Sequence, residues 1–337
     1  MMKVAILRAP GMSNNTIFDL DSPQNRDNCF APYALLRQKL LEKNIELNTA
    51  DLAAHEALAF ELHQDVQPQS SAANNYLMLF ETKFIKPENG DLNALSRYRK
   101  IFTWDERLVD NERFIKINFP NEIRTSEVDG LAHRDRFCCL ISSNRTLTRA
   151  DGADLYIERV VAIRWFEKNA PEDFDLYGID WNKPAAKRGY IDKIQRRIWP
   201  ALNRILRSTP FPSYRGRVDS KDAVLKKTQF SICYENVRDL PGYITEKIFD
   251  CFFAGCVPVY WGANDITDHI PADCFIDRRK FTDMSDLYRF LKNMPAREYT
   301  DYQKRISNFL QSPKAYPFSS SFFAETIVNT VVNYLGR

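Results

Sequence analysis

Residues 230–281 read FSICYENVRDLPGYITEKIFDCFFAGCVPVYWGANDITDHIPADCFIDRRKF, and their order decides the architecture. Phe230–Tyr234 is a short apolar run of strand character that brings Glu235 and Asn236 to its carboxyl end. Asp239-Leu240-Pro241-Gly242 has the composition of a tight turn, in which Gly242 is free to take a positive φ. Thr245 stands where a helix cap belongs, so Thr245–Ala254 is predicted to be helical with Glu246 and Lys247 in its first turn. Val257–Tyr260 is extended again. Strand, turn, helix and strand in that order form a unit that implies a parallel sheet with crossover helices.

The same alternation continues outward. Lys3–Leu7 is a predicted buried strand, Pro32–Asn44 carries Leu35, Leu36, Leu40 and Leu41 at helical spacing, and Ile45–Thr49 is extended. Tyr76–Phe80 and Lys100–Trp104 are further short apolar runs, while the polar Gln64–Asn75 reads as a surface loop. The chain turns polar over Ser126–Arg136 and the pattern then restarts. Phe137–Ser142 is strand-like, Asp154–Lys168 helical and Asp173–Tyr177 extended. The expectation is an α/β chain of two Rossmann-like domains facing a cleft, residues 1–130 and 131–312. Residues 313–337 are expected to form a C-terminal helix packing back on the domains, with Phe323, Ile327, Val331 and Tyr334 on one stripe. In open parallel sheets, ligands gather at the carboxyl ends of strands, so the cleft is where chemistry is expected.

Bulk properties narrow the function classes. The 337 residues hold 47 Lys and Arg against 44 Asp and Glu, a net charge of +3 that falls short of a dedicated nucleic-acid binder. The 7 cysteines are odd in number, lack CxxC spacing and sit mostly in apolar runs, which fits buried free thiols in a reducing compartment. The opening MMKVAILRAP is too brief for a secretory apolar core, and Ile248–Trp261 is interrupted by Asp250 and Pro258. A cytoplasmic location is therefore expected. Lys183–Arg207 holds Lys183, Lys187, Arg188, Lys193, Arg196, Arg197, Arg204 and Arg207 against the single acid Asp192. It reads either as a solvated helix face or as a surface attracted to an anionic glycolipid or the inner membrane face.

A helix start offers unpaired N–H groups and the positive end of its dipole, a setting suited to phosphate. Lys247 adds a full charge there, Tyr243 a hydroxyl and a flat ring, and Glu246 an acceptor pair suited to ribose hydroxyls. Taken alone, the tetrapeptide better fits a solvated lysine beside a glutamate that answers the helix dipole.

The string CYENVRDLPGYITEKIFDCFFAGCVPVYWGA, residues 233–263, closely resembles the signature of the α1,3-fucosyltransferases, glycosyltransferase family 10. Both halves, C-[FY]-E-N with G-Y-[IV]-T-E-K and then [IV]-P-[IV]-Y-x-G, occur in order. IPADCFIDRRKF, KIFTWDERLVDN and LISSNRTLTRADGADLYIERVVAIRWF extend the likeness over most of the chain. The resemblance implies a GT-B fold, GDP-fucose as donor, inversion at the anomeric carbon, and an oligosaccharide or lipid-linked glycan as acceptor. By motif position it implies that Asn236, Tyr243, Glu246 and Lys247 contact the donor, Glu246 at ribose and Lys247 at the pyrophosphate. An arginine on the helix after the Ser143-Asn144 strand end grips the phosphates in relatives. Arg159 matches best, with Arg164 a weaker match on the same helix.

The resemblance also implies a glutamate base at a strand end in the first domain, often followed by Ser-Pro. Here YLMLF delivers Glu81 in FETKFIKPEN, with Thr82-Lys83 in place of Ser-Pro. A carboxylate suits the role because partial burial raises its basicity. Lys83 is positioned in sequence to pair with Glu81 instead, and Glu88, Asp105 and Glu106 are competing carboxylates. Two Asp-x-Asp matches, Asp19-Leu20-Asp21 and Asp173-Phe174-Asp175, invite a metal reading but fit chance in a chain with 44 acids, and His55, His63, His133 and His269 lack ligand spacing. No metal or other cofactor is expected to be required, with a divalent ion at most stimulatory. Two alternatives remain open: another nucleotide-sugar transferase of the same fold, or a catalytically dead glycan-binding module.

Overall fold

The computed structural model describes residues 2–52, 57–68, 74–147, 152–206 and 209–335. Arg207 of the basic stretch and residues 69–73 of the expected loop lie outside them. The chain divides into two units, one comprising Met1–Ile123 and Pro313–Arg337 and the other Arg124–Ser312.

In the first unit the elements are β1 (Lys3–Arg8), α1 (Ala31–Leu41), β2 (Ile45–Thr49), β3 (Leu58–Gln64), β4 (Asn75–Leu79), α2 (Leu92–Ser96), β5 (Lys100–Thr103) and β6 (Phe114–Lys116). The strands form one parallel sheet in the order β2-β1-β3-β4-β5-β6. In the second unit β7 (Arg136–Ile141), α3 (Leu155–Asn169), β8 (Phe174–Tyr177), α4 (Tyr190–Leu206), β9 (Tyr214–Gly216), α5 (Lys221–Leu225), β10 (Thr228–Tyr234), α6 (Glu246–Phe253), β11 (Val257–Trp261), α7 (Ile266–His269), β12 (Ile276–Asp277), α8 (Met284–Lys292) and α9 (Ala296–Leu310) follow. Its sheet is also parallel, in the order β12-β11-β10-β7-β8-β9. The chain ends in α10 (Ser320–Leu335), which belongs to the first unit. Both units are Rossmann-like parallel α/β layers, as the alternation predicts.

Burial explains each layer. The leucines of α1 and the stripe of α10 meet over the first sheet, where Leu36, Leu40, Phe323, Ile327 and Val331 join Leu7, Phe60 and Met78. Tyr33 and Phe323 meet edge to face at 5.9 Å. Tyr334, the last residue of the expected stripe, takes the cations of Arg99 and Lys100 over its ring at 4.8 and 4.7 Å. The opposite face of the sheet is covered by Leu95 and Tyr98 against Leu77, Leu79 and Ile101. In the second unit α3 buries Leu155, Ala162, Ile163 and Phe166 against Cys138, Leu140, Phe174 and Ile232. Six of the cysteines are buried and none is in a disulfide, with only Cys29 exposed.

One interior strand, β3, gave no sequence signal. Leu58–Gln64 (LAFELHQ) is rich in Ala, Glu and Leu, which favour helix, and its second face carries acid and imidazole rather than apolar groups. That face is not wet. Glu61 and His63 are 2% and 1% exposed. Glu61 accepts from Arg8 at 2.7 and 3.1 Å, and His63 meets Glu61 at 3.0 Å through Nε2 and the Tyr98 hydroxyl at 3.4 Å through Nδ1. Pairing and hydrogen bonding satisfy the buried groups, so the strand tolerates them.

This polar island has a pH signature. Burial pulls the His63 imidazole down to about 4, more strongly than neighbouring Glu61 raises it. A base held neutral in the fold favours folding above its unfolded pKa, and that contribution is lost as pH falls toward the folded value. Stability is therefore expected to fall by roughly 1 kcal/mol per pH unit between about 6.5 and about 4 through this residue. Denaturant melts of wild type and His63→Gln across that range check it. The variant should show the shallower slope, and equal slopes would refute the assignment.

Candidate functional site

The carboxyl ends of β7 and β10 and the starts of α3 and α6 surround a cavity of about 210 Å³ within the second unit. Its wall includes Ser142 and Ser143, Arg145, Tyr156, Arg159, Asn236, Glu246 and Lys247, with Lys221 and Asp250 beside them.

The centre of this arrangement is Glu235, the residue after β10, which is fully buried. It accepts from the Thr245 amide and hydroxyl, each at 2.8 Å, and from Lys247 Nζ at 3.2 Å. Thr245 caps α6 through the Lys247 amide and takes the Lys247 ammonium on its hydroxyl at 2.9 Å. The turn before α6 is held by Gly242 at φ 78°, whose amide donates to Asp265 Oδ1 at 2.9 Å. Gly262, following β11, lies against the same carboxylate. A Cβ there would stand 2.5 Å from Glu235 Cγ and overlap the Tyr260 hydroxyl. The Glu-Asn, Tyr-Ile-Thr-Glu-Lys and Tyr-x-Gly parts of the quoted stretch thus converge on one buried acid.

Protein contacts alone hold both cations in place. Arg159, 2% exposed on α3, donates to the Tyr234 carbonyl at 2.5 Å and to Asn236 Oδ1 at 3.1 Å, and its guanidinium lies 4.5 Å over the Tyr156 ring. Burial pulls the Lys247 ammonium down, but Glu235 and Glu246 more than reverse this and hold it above its ordinary value. Burial likewise pushes Glu246 up, and the charges of Lys247 and Lys221 outweigh it, leaving its carboxyl below the usual range. Lys221 reaches Asp250 at 2.6 Å, yet burial still carries the Asp250 carboxyl up to about 7. A pocket with two ordered cations at a helix start can hold a diphosphate, and the half-exposed Glu246 can accept from a sugar diol.

Four of the five expected donor contacts, Arg159, Asn236, Glu246 and Lys247, line this cavity together. Tyr243 does not line it. The ring is buried, and its hydroxyl receives Asn236 Nδ2 at 3.3 Å, so it backs the asparagine. Arg164 lies elsewhere, paired with Glu167 at 2.5 Å and set 4.0 Å over Phe211. Asp250 was legible as one turn beyond Glu246 on the same helix face. Lys221 sits in a polar segment without a motif, and nothing in the sequence pointed to it.

In the first unit Glu81 follows β4 and is partly buried. Its amide donates to Asp65 Oδ1 at 3.0 Å and its carbonyl accepts from Asn89 at 2.8 Å. Lys83 places its ammonium 5.6 Å over Phe84. Of the competing carboxylates, Asp105 is held by Arg107 at 2.6 Å and Glu106 by Lys116 at 2.6 Å, while Glu88 is exposed on a short turn. The Asp-x-Asp pair of the second unit is engaged: Asp173 with Tyr288 at 2.6 Å and Lys292 at 2.8 Å, Asp175 with Arg215 at 2.7 Å. Among the described residues no three His, Cys, Asp or Glu side chains are grouped as a metal site.

Residues 181–314 match the sequence profile described as glycosyltransferase family 10 (fucosyltransferase) C-term. The chain is 29% identical over 103 residues to the α-(1,3)-fucosyltransferase FucT of Helicobacter pylori, covering 29% of this chain and 21% of that protein. It is 29% identical over 193 residues to the mouse (Mus musculus) 4-galactosyl-N-acetylglucosaminide 3-α-L-fucosyltransferase 9, covering 54% of this chain and 49% of the relative. The matched stretches thus span half or less of these curated relatives. A crystal structure of an α1,3-fucosyltransferase with GDP superimposes with a TM-score of 0.55 at 13% identity, over 98% of this chain and 91% of that one, a likeness of fold. Asn236, Glu246 and Lys247, which line the cavity, fall within the profile match, so residues 181–314 are similar to the C-terminal part of glycosyltransferase family 10.

Proposed function

We propose that the protein is an inverting fucosyltransferase that moves L-fucose from GDP-fucose to a hydroxyl of a glycan acceptor, O3 of a GlcNAc or Glc unit. The observation that carries this reading is the cavity holding Arg159 and Lys247 as fixed cations beside Asn236 and Glu246. In it, Lys247 and Arg159 take the diphosphate and Glu246 the ribose. The acceptor oxygen forms its bond to the anomeric carbon as the bond to the β-phosphate oxygen breaks. Charge developing on the leaving diphosphate is met by cations already oriented, which is where such donors act most strongly. The acceptor proton passes to Glu81 as general base. The acceptor is an oligosaccharide or a lipid-linked glycan, no metal is required, and the protein works in the cytoplasm with peripheral contact at the inner membrane through its basic stretch. No helix among the described residues is long and apolar enough to cross a membrane.

Donor competition tests the class. GDP should displace labelled GDP-fucose and UDP should not, and displacement by UDP alone would indicate another nucleotide sugar. Exhaustive chelation should leave transfer intact, with an added divalent ion doing no more than stimulating it. Loss of activity restored by a single metal would overturn that expectation.

Lys247 has two roles that variants can separate. Lys247→Met should weaken GDP binding by about 1.5–3 kcal/mol, the worth of a charge-assisted contact. It should also lower the melting temperature, because Glu235 is left buried without its cation. Adding Glu235→Gln should recover the melting temperature and leave GDP affinity low. Calorimetry showing normal GDP affinity in the stable double variant would remove Lys247 from the donor site.

Glu81→Gln keeps the side-chain shape and cannot accept the proton. Turnover should fall by roughly 10²–10⁴-fold while GDP affinity stays within about threefold. Glu246→Gln should weaken GDP binding as well as turnover. A stable Glu81→Gln protein with near-normal turnover would move the base to Glu88, Asp105 or Glu106.

A further inference from the structure

The helix α4 carries an apolar stripe on its outside. Ile194, Ile198 and Leu202 are 47%, 53% and 42% exposed, an unusual state for three large aliphatic side chains on one element. Their spacing of four places them on a single narrow face. The other side of the helix is anchored to its own unit: Arg196 donates to the Asn144 carbonyl at 3.0 Å, and the Trp199 indole to the Asn182 carbonyl at 3.0 Å. An inward face fixed by polar contacts and an outward face of isoleucine and leucine is the reverse of an ordinary surface helix.

The charge around this stripe selects its occupant. Lys183, Lys187, Arg188, Lys193, Arg196, Arg197 and Arg204 lie in or just before α4, with Asp192 the only acid of the helix. Lys187 and Arg197 are exposed, whereas Lys183 pairs with Asp180, Arg188 donates to the Leu147 carbonyl at 2.9 Å and Arg196 to the Asn144 carbonyl. A second protein copy would bring the same basic field against itself, which opposes self-association. A surface of anionic lipid answers both features at once, headgroups taking the cations and the acyl boundary taking the stripe.

We propose that α4 lies in the plane of an anionic membrane, with Ile194, Ile198 and Leu202 inserted below the headgroups and the exposed Lys187 and Arg197 on the lipid phosphates. This deepens, and rests on, the peripheral membrane contact read from the basic stretch. It adds that apolar insertion, and not charge attraction alone, holds the protein there. Neither the cavity nor Glu81 takes part.

Vesicle flotation of the full chain tests it, comparing phosphatidylcholine vesicles with vesicles containing about one-third phosphatidylglycerol. The protein should float with the anionic vesicles alone. The triple variant Ile194→Ser, Ile198→Ser, Leu202→Ser should lose at least about tenfold in vesicle affinity, with its melting temperature and GDP affinity unchanged because the side chains are already exposed. Ile198→Trp should show indole fluorescence quenched by brominated lipid. Flotation of wild type and triple variant alike, without quenching, would overturn insertion and leave charge-driven contact standing. No flotation of either protein would overturn both. A wild-type dimer that the triple variant converts to monomer would give the stripe to a second copy instead.

Discussion

Glu235 is a carboxylate without exposed surface, and the second unit is organised around keeping it there. An isolated buried charge costs several kcal/mol, and this one is answered by an amide, a hydroxyl and an ammonium drawn from the next helix. The bonds tie the end of β10 to the start of α6 more tightly than backbone packing alone. They also fix where Lys247 points, since its ammonium is held by Glu235 and by Thr245. Replacing Gly262 by any larger residue would press on the same carboxylate. The demands of one buried acid therefore reach positions nearly thirty residues apart in the chain.

This constraint explains how two cations are held side by side on the cavity wall. Unanswered positive charge in a half-enclosed cavity would raise the pKa cost of every lysine there. Glu235 neutralises Lys247 from behind, and the Tyr234 carbonyl and Asn236 Oδ1 accept from Arg159 and orient its guanidinium. Their outward N–H groups can still meet an anion in front. Such preorganisation removes the reorganisation that flexible surface lysines would undergo on binding.

How much of this was legible follows from where each signal arises. The αβ alternation and the gathering of Asn236, Glu246 and Lys247 at a helix start were readable because turn, cap and first-turn residues act locally. Arg159 was reachable through its helix and motif. β3 was hidden because its polar face is buried among partners remote in sequence, Arg8 and Tyr98, which no local pattern can announce. The burial of Tyr243 behind Asn236 was hidden for the same reason, and so was Lys221, whose place depends on α5 packing beside α6. The apolar stripe of α4 lay in plain view in sequence as an amphipathic helix. Only the anchoring of Arg196 and Trp199 reveals which side faces out.

The two units solve one problem by the same means. Glu81 must leave the end of β4 with its backbone fixed, and Asp65 provides this, accepting the Phe80 amide at 2.8 Å and the Glu81 amide at 3.0 Å. Asn89 joins both, donating to Asp65 at 2.8 Å and to the Glu81 carbonyl at 2.8 Å. Asp65 is buried and holds φ 56°, a conformation that an aspartate with satisfied side-chain bonds can sustain. Past the end of a central strand in each unit sits a buried carboxylate: Asp65 accepts from the Phe80 and Glu81 amides, and Glu235 from the Thr245 amide together with a hydroxyl and an ammonium. Glu235 thereby fixes where the Lys247 ammonium lies, and Asp65 fixes the backbone from which Glu81 projects. A parallel sheet leaves strand ends without ladder partners, and these two acids supply what the sheet cannot.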